Sequence, residues 1–413
     1  MAIIVQKFGG TSVADAEKIR RAADRVIDAV KRGCKVVVVA SARGKQTDQL
    51  IADALELNPN PPKREMDQLL STGEQQSVSL FAMALDAAGY DAISFTGGQI
   101  RLITDSVHTK ARILSIGADR IHKELENGKI VIVAGFQGID ENENITTLGR
   151  GGSDTTAVAI AAALGAAECE IYTDVDGIYT TDPKIFKDAA KMDQISYDEM
   201  LEMASLGAGV MHTRAVEFGK KYDVKIHVRS SGEKTNGTII THEVPQMEDV
   251  VVSGATIQEN MAKIDLVGID NKPGNAAKIF HHLAKAKVVV NDIVQTEINT
   301  EKANLSFMIG IEDLPAAKEA MEGISDELNC QSMFIRDDIA EISVVGVGMR
   351  SHYGVADSMF GALAKAKINI DSITTSEIRI SCVVDKDQGQ EALRVVSAAF
   401  ELDKPAHERT KKA

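Results

Sequence analysis

Lys7-Phe8-Gly9-Gly10-Thr11-Ser12 follows the apolar run Ile3-Ile4-Val5 and precedes an amphipathic stretch over residues 13–32. The apolar run predicts a strand and the amphipathic stretch a helix. A strand, a paired-glycine turn carrying a lysine, and a helix start together suit a phosphate. The glycines let the backbone approach an anion, the N–H groups at the helix start point at it, and the lysine adds a full positive charge. The spacing is neither a Walker loop nor G-x-G-x-x-G. Taken alone, the run fits an ordinary strand-turn-helix connection equally well.

The surroundings predict an α/β domain. Residues 36–40 and 130–134 are nearly pure β-branched runs, which suit parallel strands buried on both faces. Shorter strands are expected at 170–172 and 224–229. Helical patterns over 66–88 and 155–164 provide crossovers, so a three-layer α/β/α domain is expected over residues 1–245. The chain of 413 residues is long enough for two to four domains, and 44% hydrophobic with 26% charged residues is a globular composition. Cys34, Cys169, Cys330 and Cys382 form no C-x-x-C pair and read as reduced thiols. A net charge of −14 argues against broad nucleic-acid binding. No apolar run is long enough to span a bilayer, and the chain opens on a strand rather than a secretory signal. A cytoplasmic protein is expected, with neither nucleic acid nor membrane as partner.

The second part repeats itself. Leu283-Ala284-Lys285-Ala286-Lys287 recurs as Leu363-Ala364-Lys365-Ala366-Lys367, and at the same offset Gly274 matches Gly354 and Phe280 matches Phe360. The first copy reads as a βαββαβ module over residues 263–337. The second copy runs short of its last strand. Residues 250–257, ahead of the first copy, are expected to supply it. That makes the second module residues 246–262 plus 338–405, with the first inserted inside it, and leaves residues 406–413 as a polar tail. The plainer alternative is a linker strand.

Gly149-Arg150-Gly151-Gly152-Ser153-Asp154 forms a second candidate anion site, just before the helix expected from Thr155, with Ser153 or Asp154 as its cap. An arginine among glycines suits a carboxylate or a phosphate. A third element, residues 172–184, leaves a strand and is dense in turn formers and carboxylates. Turn chemistry alone explains Asp176-Gly177 and Asp182-Pro183; the whole run after a strand reads better as a nucleotide-holding loop.

These three motifs, with Ser71-Thr72-Gly73-Glu74 read as a helix start, resemble the aspartate kinase pattern of the amino-acid kinase superfamily. The tandem modules resemble that family's two ACT domains, and the bacterial lysine/threonine-sensitive type is the nearest match. The resemblance covers nearly the whole chain. It implies ATP-dependent phosphorylation of the L-aspartate β-carboxylate to 4-phospho-L-aspartate, the first step of lysine, threonine and methionine biosynthesis. A carboxylate nucleophile, with an ordinary pKa of about 3.9, needs no general base at neutral pH. The difficulty is repulsion between anions, so positioning and charge neutralisation dominate.

Carried onto matching positions, the resemblance makes Lys7 and Asp154 catalytic. Lys7, Phe8, Gly9, Gly10, Ser41, Thr173, Asp174, Tyr179 and Lys184 are implied to bind ATP. Thr47, Glu74, Arg150, Gly151, Gly152 and Ser153 are implied to bind aspartate, with Arg150 on the α-carboxylate and Glu74 on the ammonium. Mg²⁺ is implied to be held mainly by ATP, with no protein metal site. Each assignment has a duller alternative: Glu74 stands in capping-box spacing with Ser71, Tyr179 suits a core, and Lys184 suits a solvated surface. Feedback by lysine, threonine or both is implied at Asn271, Gly274, Asn275, Ala276, Asn291 and Gln295 in the first module. In the second the positions are Val355, Ala356, Asn369, Ile370, Ser376 and Glu377. A homo-oligomer built through the ACT modules is implied as well. One departure stands out: Gly209 occupies a position where the family often carries a lysine reaching ATP, and Arg214 is a weak candidate to replace that charge. A kinase of the same superfamily acting on glutamate, acetylglutamate or uridylate, and a catalytically silent amino-acid sensor, are the competing readings. Met247 is a weak candidate for an internal start of a separate regulatory subunit.

Overall fold

The computed structural model describes residues 1–242, 244, 251–322, 324, 327–350 and 352–409. Met247, Val250 and residues 410–413 of the expected tail lie outside the described residues. The chain divides into two compact units, Met1–Tyr179 with Lys191–Gln246, and Thr180–Ala190 with Met247–Ala413. The unit containing Lys7 is therefore not one continuous stretch over 1–245: the segment Thr180–Ala190 packs with the second unit.

The strands of the first unit are β1 (Ile3–Phe8), β2 (Lys35–Ala40), β3 (Ala92–Phe95), β4 (Leu102–Thr104), β5 (Ile113–Ile116), β6 (Ile130–Ala134), β7 (Gln137–Ile139), β8 (Ile145–Thr147), β9 (Glu168–Thr173), β10 (Gln194–Ser196), β11 (Ile226–Ser230) and β12 (Thr238–Thr241). Its helices are α1 (Ala16–Lys31), α2 (Gln46–Leu57), α3 (Lys63–Ala87), α4 (Asp119–Glu126), α5 (Gly152–Leu164), α6 (Tyr197–Ser205) and α7 (Thr213–Tyr222). The main sheet has the order β10-β12-β11-β9-β1-β2-β6-β3, and β5-β4-β7-β8 form a smaller sheet. β1 runs parallel to both β2 and β9. The chain thus leaves β1 toward β2 on one side and returns to β9 on the other. That reversal opens a crevice at the carboxyl ends of the central strands, the usual ligand position in such sheets.

Alternation along β1 decides which side chains face which helices. Ile4 and Phe8 join one apolar core with Ile19, Ala23 and Val26 of α1 and Phe81 of α3. Lys7 is on the opposite face of the pleat, where α5 packs against β1, β2 and β9. α1 starts at Asp15, whose carboxylate accepts the Lys18 amide N–H at 2.9 Å, rather than at residue 13; residues Gly10–Val13 form a short 3-10 turn. Ser71-Thr72-Gly73-Glu74 is not a helix start: it lies in the middle of α3, and the Ser71 hydroxyl donates to the Gln68 carbonyl. The expected cap of α5 is also corrected. Gly151, at φ +70°, is the N-cap with no side-chain bond, so Ser153 and Asp154 lie inside the first turn. α5 begins at Gly152 because glycine is the residue that takes a left-handed cap without steric cost.

The second unit contains β13 (Gly254–Gln258), β14 (Met261–Asp270), β15 (Val290–Glu297), β16 (Lys302–Gly310), β17 (Ser332–Arg336), β18 (Ile339–Val345), β19 (Ser372–Thr375) and β20 (Arg379–Asp385). Its helices are α8 (Asn275–Lys285), α9 (Leu314–Glu322), α10 (Val355–Lys365) and α11 (Gly389–Ala399). Two four-stranded sheets have the orders β15-β16-β14-β17 and β19-β20-β18-β13. The orders are equivalent if β13 is counted as the fourth strand of the second sheet; it pairs antiparallel with β18, Thr256 opposite Ser343. Each sheet covers its own apolar core, with Ile279, Leu283 and Phe307 in one and Met359, Leu363 and Val396 in the other.

Candidate active site

The site of the first unit forms where β1, β2, β6 and β9 end. Lys7 Nζ lies 2.5 Å from Asp154 Oδ1, with both side chains largely buried. Asp154 is available for this pair because Gly151, not a side chain, caps α5. The free N–H groups and positive dipole end of α5 therefore face the same corner. Gly9 closes one wall: its amide donates to the Tyr172 carbonyl, and a Cβ there would stand 3.5 Å from Lys7 Nζ. Gly10 has no room for a side chain, since a Cβ would sit 2.7 Å from the Ala42 carbonyl. Phe8 stacks on Tyr172 at 4.8 Å between ring centroids, and its carbonyl accepts the Ser41 amide. Gly135, at the end of β6, packs on Ser153.

Glu74 reaches this loop system from α3. Its Oε1 accepts the Ala42 amide at 2.9 Å. Its Oε2 is buried and has no hydrogen-bond partner among the described residues. Burial raises its pKa to about 7, against the bond from Ala42. A buried carboxyl oxygen with no donor is costly, and a cationic ligand group would remove that cost. Because Glu74 is mid-helix, the capping alternative is excluded. Arg150 is exposed on the loop between Gly149 and Gly151 and enters no ion pair among the described residues. Thr47 sits in the first turn of α2, whose Gln46 packs over Gly73.

The third motif divides. Thr173 donates from its hydroxyl to Asp174 at the end of β9. Asp174 lines a cavity of about 290 Å³ with Thr11, Lys18, Arg21, Ser231 and Glu233. Lys18, Arg21 and the Ser230–Glu233 turn escaped the sequence reading; the signal was two cations at i and i+3 on the helix after the first glycine turn. Tyr179 donates its hydroxyl to Asp176, which Lys191 also approaches, and burial with this bond pushes the phenol up to about 12. Lys184 is exposed and belongs to the second unit. Arg214 is not a spare cation: its guanidinium donates to the carbonyls of Leu148 and Ala111. Gly209 is exposed, with open space where a side chain would begin. His212, also unforeseen, packs its ring over Gly151, and burial lowers its pKa.

In the second unit, Gly274 and Gly354 cap α8 and α10 at φ +98° with no side-chain cap bond, and the Asn275 amide at the start of α8 donates to the Lys272 carbonyl. Asn271 donates its amide to Glu301, and Asn275 donates its side chain to the Asp270 carbonyl. Asn291 and Gln295 are exposed on β15, an edge strand. Ala276 and Ile370 pack half-buried on the two cores, Ala356 is half-buried, and Asn369 is exposed. The Val355 side chain is buried in its core, which leaves its backbone as the part able to meet a ligand. Ser376 accepts the Ile378 amide, and Glu377 pairs with Arg350 at 2.7 Å.

Residues 2–230 match the amino acid kinase family, and residues 342–400 match an ACT domain. The fold is therefore that of an amino acid kinase with an ACT-type C-terminal region. The chain is 50% identical over 402 residues to an aspartokinase of Bacillus sp. strain MGA3, covering 97% of this chain and 98% of the relative. It is 47% identical to aspartokinase 2 of Bacillus subtilis, covering 98% and 99%. E. coli aspartokinase III, solved with aspartate and ADP, superposes with a TM-score of 0.82 at 25% identity, covering 97% of this chain and 100% of that one. The chain belongs to the aspartokinase family. No helix among its described residues is long and apolar enough to cross a membrane.

Gly151 generates a direct prediction. A Cβ there would stand 2.2 Å from the His212 ring on a backbone at φ +70°. Gly151→Ala should therefore lower turnover by about 100-fold, the scale of a 1 Å misplacement. Steady-state kinetics beside a thermal melt checks this: activity should fall far more than stability.

Proposed function

We propose that this chain transfers the γ-phosphoryl group of ATP to the β-carboxylate of L-aspartate, giving 4-phospho-L-aspartate. The observation that carries the reading is the Lys7–Asp154 pair at the start of α5, next to the turn whose Ala42 amide holds Glu74. In this reading Arg150 forks the α-carboxylate and Glu74 Oε2 accepts the α-ammonium. The Gly151-Gly152-Ser153 amides meet an oxygen of the substrate, and Thr47 adds a hydrogen bond. Lys7 draws charge off the transferring phosphoryl group. No proton has to leave the nucleophile, so Asp154 holds Lys7 in place rather than acting as a base. The glycine turn with Phe8, Gly9, Gly10 and Ser41 lies against the phosphates. Thr173 and Asp174 border the cavity that suits the rest of the nucleotide, with Lys18 and Arg21 as its cations. The Tyr179 ring is a contact surface, since its hydroxyl is committed to Asp176, and Lys184 is proposed to bind ATP.

Magnesium fits as a passenger on the nucleotide. Among the described residues the one cluster of metal-ligating groups is Glu168, Glu170 and His227. Its Glu170 is already engaged by Gln6, Tyr172 and Arg229. Mg²⁺ readily keeps phosphate and water oxygens as ligands, and when bound it supplies charge neutralisation at the phosphates.

The second unit is proposed as a regulatory half of two modules, residues 263–337 and residues 246–262 with 338–405, the first inserted in the second. The β13–β18 pairing supports this. Lysine, threonine or both are the proposed effectors. The helix starts after Gly274 and Gly354, which carry no side-chain cap bond, suit their carboxylates, in a homo-oligomer joined through these modules. The Glu377 carboxylate is paired with Arg350, so an effector ammonium there would have to replace that cation. The proposed setting is the first step of lysine, threonine and methionine biosynthesis in the cytoplasm.

A coupled assay for ADP release should show turnover with aspartate, much less with glutamate, and none in Lys7→Ala. Turnover with glutamate alone rejects the reading. Titrating the aspartate-dependent rate with lysine, threonine and their mixture should lower it; an unresponsive rate rejects the regulatory half.

Glu74 sets a pH dependence. Its carboxyl titrates near 7 in the folded enzyme against 4.5 ordinarily, because burial opposes the charge. Folding is therefore favoured by this group at low pH, and that contribution fades as pH rises from about 4.5 through about 7. Aspartate binding demands the charged form. The aspartate KM should rise about 10-fold per pH unit below 7, a slope that Glu74→Gln should abolish while raising KM at pH 8. Glu74→Gln should also melt no lower than wild type at pH 8.

A further inference from the structure

We propose that Asp67 is a positioning residue that sets the Gly149–Asp154 loop for aspartate; this rests on the reading of Arg150 and that loop as the aspartate site. Asp67 is fully buried on α3, seven residues and about two turns before Glu74, so both carboxyls share one face of the helix. The Thr109 amide donates to both of its oxygens at 3.1 Å. The Thr147 hydroxyl donates to Oδ1 at 2.5 Å, and His108 Nδ1 lies 2.7 Å from Oδ2. A carboxylate has the acceptor capacity for this set, and a side-chain amide does not.

What Asp67 holds is a strained turn. Thr109 has φ +70°, a left-handed conformation that a β-branched residue rarely adopts and that is strained. The carbonyl of Thr109 then stands 3.0 Å from where a Cβ of Gly149 would be. Gly149 itself is at φ +77° and opens the loop carrying Arg150. Thr147 ends β8 two residues before Gly149, and its carbonyl accepts the Ala111 amide. Arg214 fastens the same two segments from the other side through the carbonyls of Leu148 and Ala111. Asp67 thus ties both segments that border Gly149 to the helix bearing Glu74. The two proposed anchors of aspartate, Arg150 and Glu74, keep their separation through this one carboxyl group.

The test is steady-state kinetics of the full chain. Asp67→Asn should raise the aspartate KM by about 10-fold or more while the ATP KM stays within about twofold. Adding Thr109→Gly should recover most of that loss, because glycine takes the left-handed conformation without a carboxylate to hold it. A wild-type aspartate KM in Asp67→Asn overturns the proposal. So do parallel losses for both substrates that Thr109→Gly leaves unrelieved, the pattern of general destabilisation. If Asp67→Asn does not fold, Thr147→Val and Thr147→Ser replace it. A raised aspartate KM in the valine variant with recovery in the serine variant supports the role, and a wild-type KM in the valine variant overturns it. Arg150→Ala separates the two readings. An unchanged aspartate KM there removes Arg150 from the substrate site, whereas a raised KM beside an unaffected Asp67→Asn removes only the positioning role.

Discussion

The ion pair between Lys7 and Asp154 is the constraint around which the catalytic unit is arranged. It joins the carboxyl end of the central strand to the first turn of the helix packed on it. Burial makes both charges expensive alone, and together they are neutral. The pair exists because Gly151 takes over the capping position. Had Asp154 capped the helix, its carboxylate would have satisfied backbone amides, and Lys7 would have faced the crevice without its counter-charge. As it is, the helix start has no side-chain cap, and the lysine is held at a fixed place beside its positive dipole end.

α3 provides the complementary constraint. It is 25 residues long and carries Asp67 and Glu74 on one face. The two buried carboxyls have opposite situations. Asp67 is surrounded by donors and holds a left-handed threonine in place. Glu74 has one oxygen without a hydrogen-bond partner among the described residues and a raised pKa. A buried carboxyl oxygen without a donor lowers the stability of the unit that holds it.

The second unit obeys the same logic of repetition that its sequence displays. Two copies share a glycine at φ +98° before the first helix and the same internal strand order. Their edges differ: one outer strand, β17, is the last strand of its own module in sequence, while the corresponding strand β13 comes from before the first copy. Lys263 of β14 pairs with Asp371 beside β19, and Arg379 of β20 pairs with Asp292 of β15, so charge pairs join the two sheets within this unit. The segment Thr180–Ala190 is fastened to the same unit by the Thr180 hydroxyl and the Ala190 amide, which both donate to Leu402.

Much of this was written in local patterns. The β-branched runs marked β2 and β6, the glycines marked the places where backbones approach closely, and the letter-for-letter repeat announced two equivalent modules. Those signals are local because periodicity, steric freedom at glycine and repetition act within a few residues of themselves. The short strands β3, β4, β7 and β8 gave no such signal, since three or four residues carry too little periodicity to read. Ser71–Glu74 resembled a helix start because capping chemistry is local, while the true start at Lys63 depended on the preceding prolines. The roles of Asp67, His212, Lys18 and Arg21 are decided by which chain segments fold against them. The identity of the charged residues and the order of the longer elements were thus settled by the sequence alone. Which carboxylate is paired, which is left wanting and which holds a turn in place was decided by tertiary structure, because those properties belong to the neighbours that burial imposes.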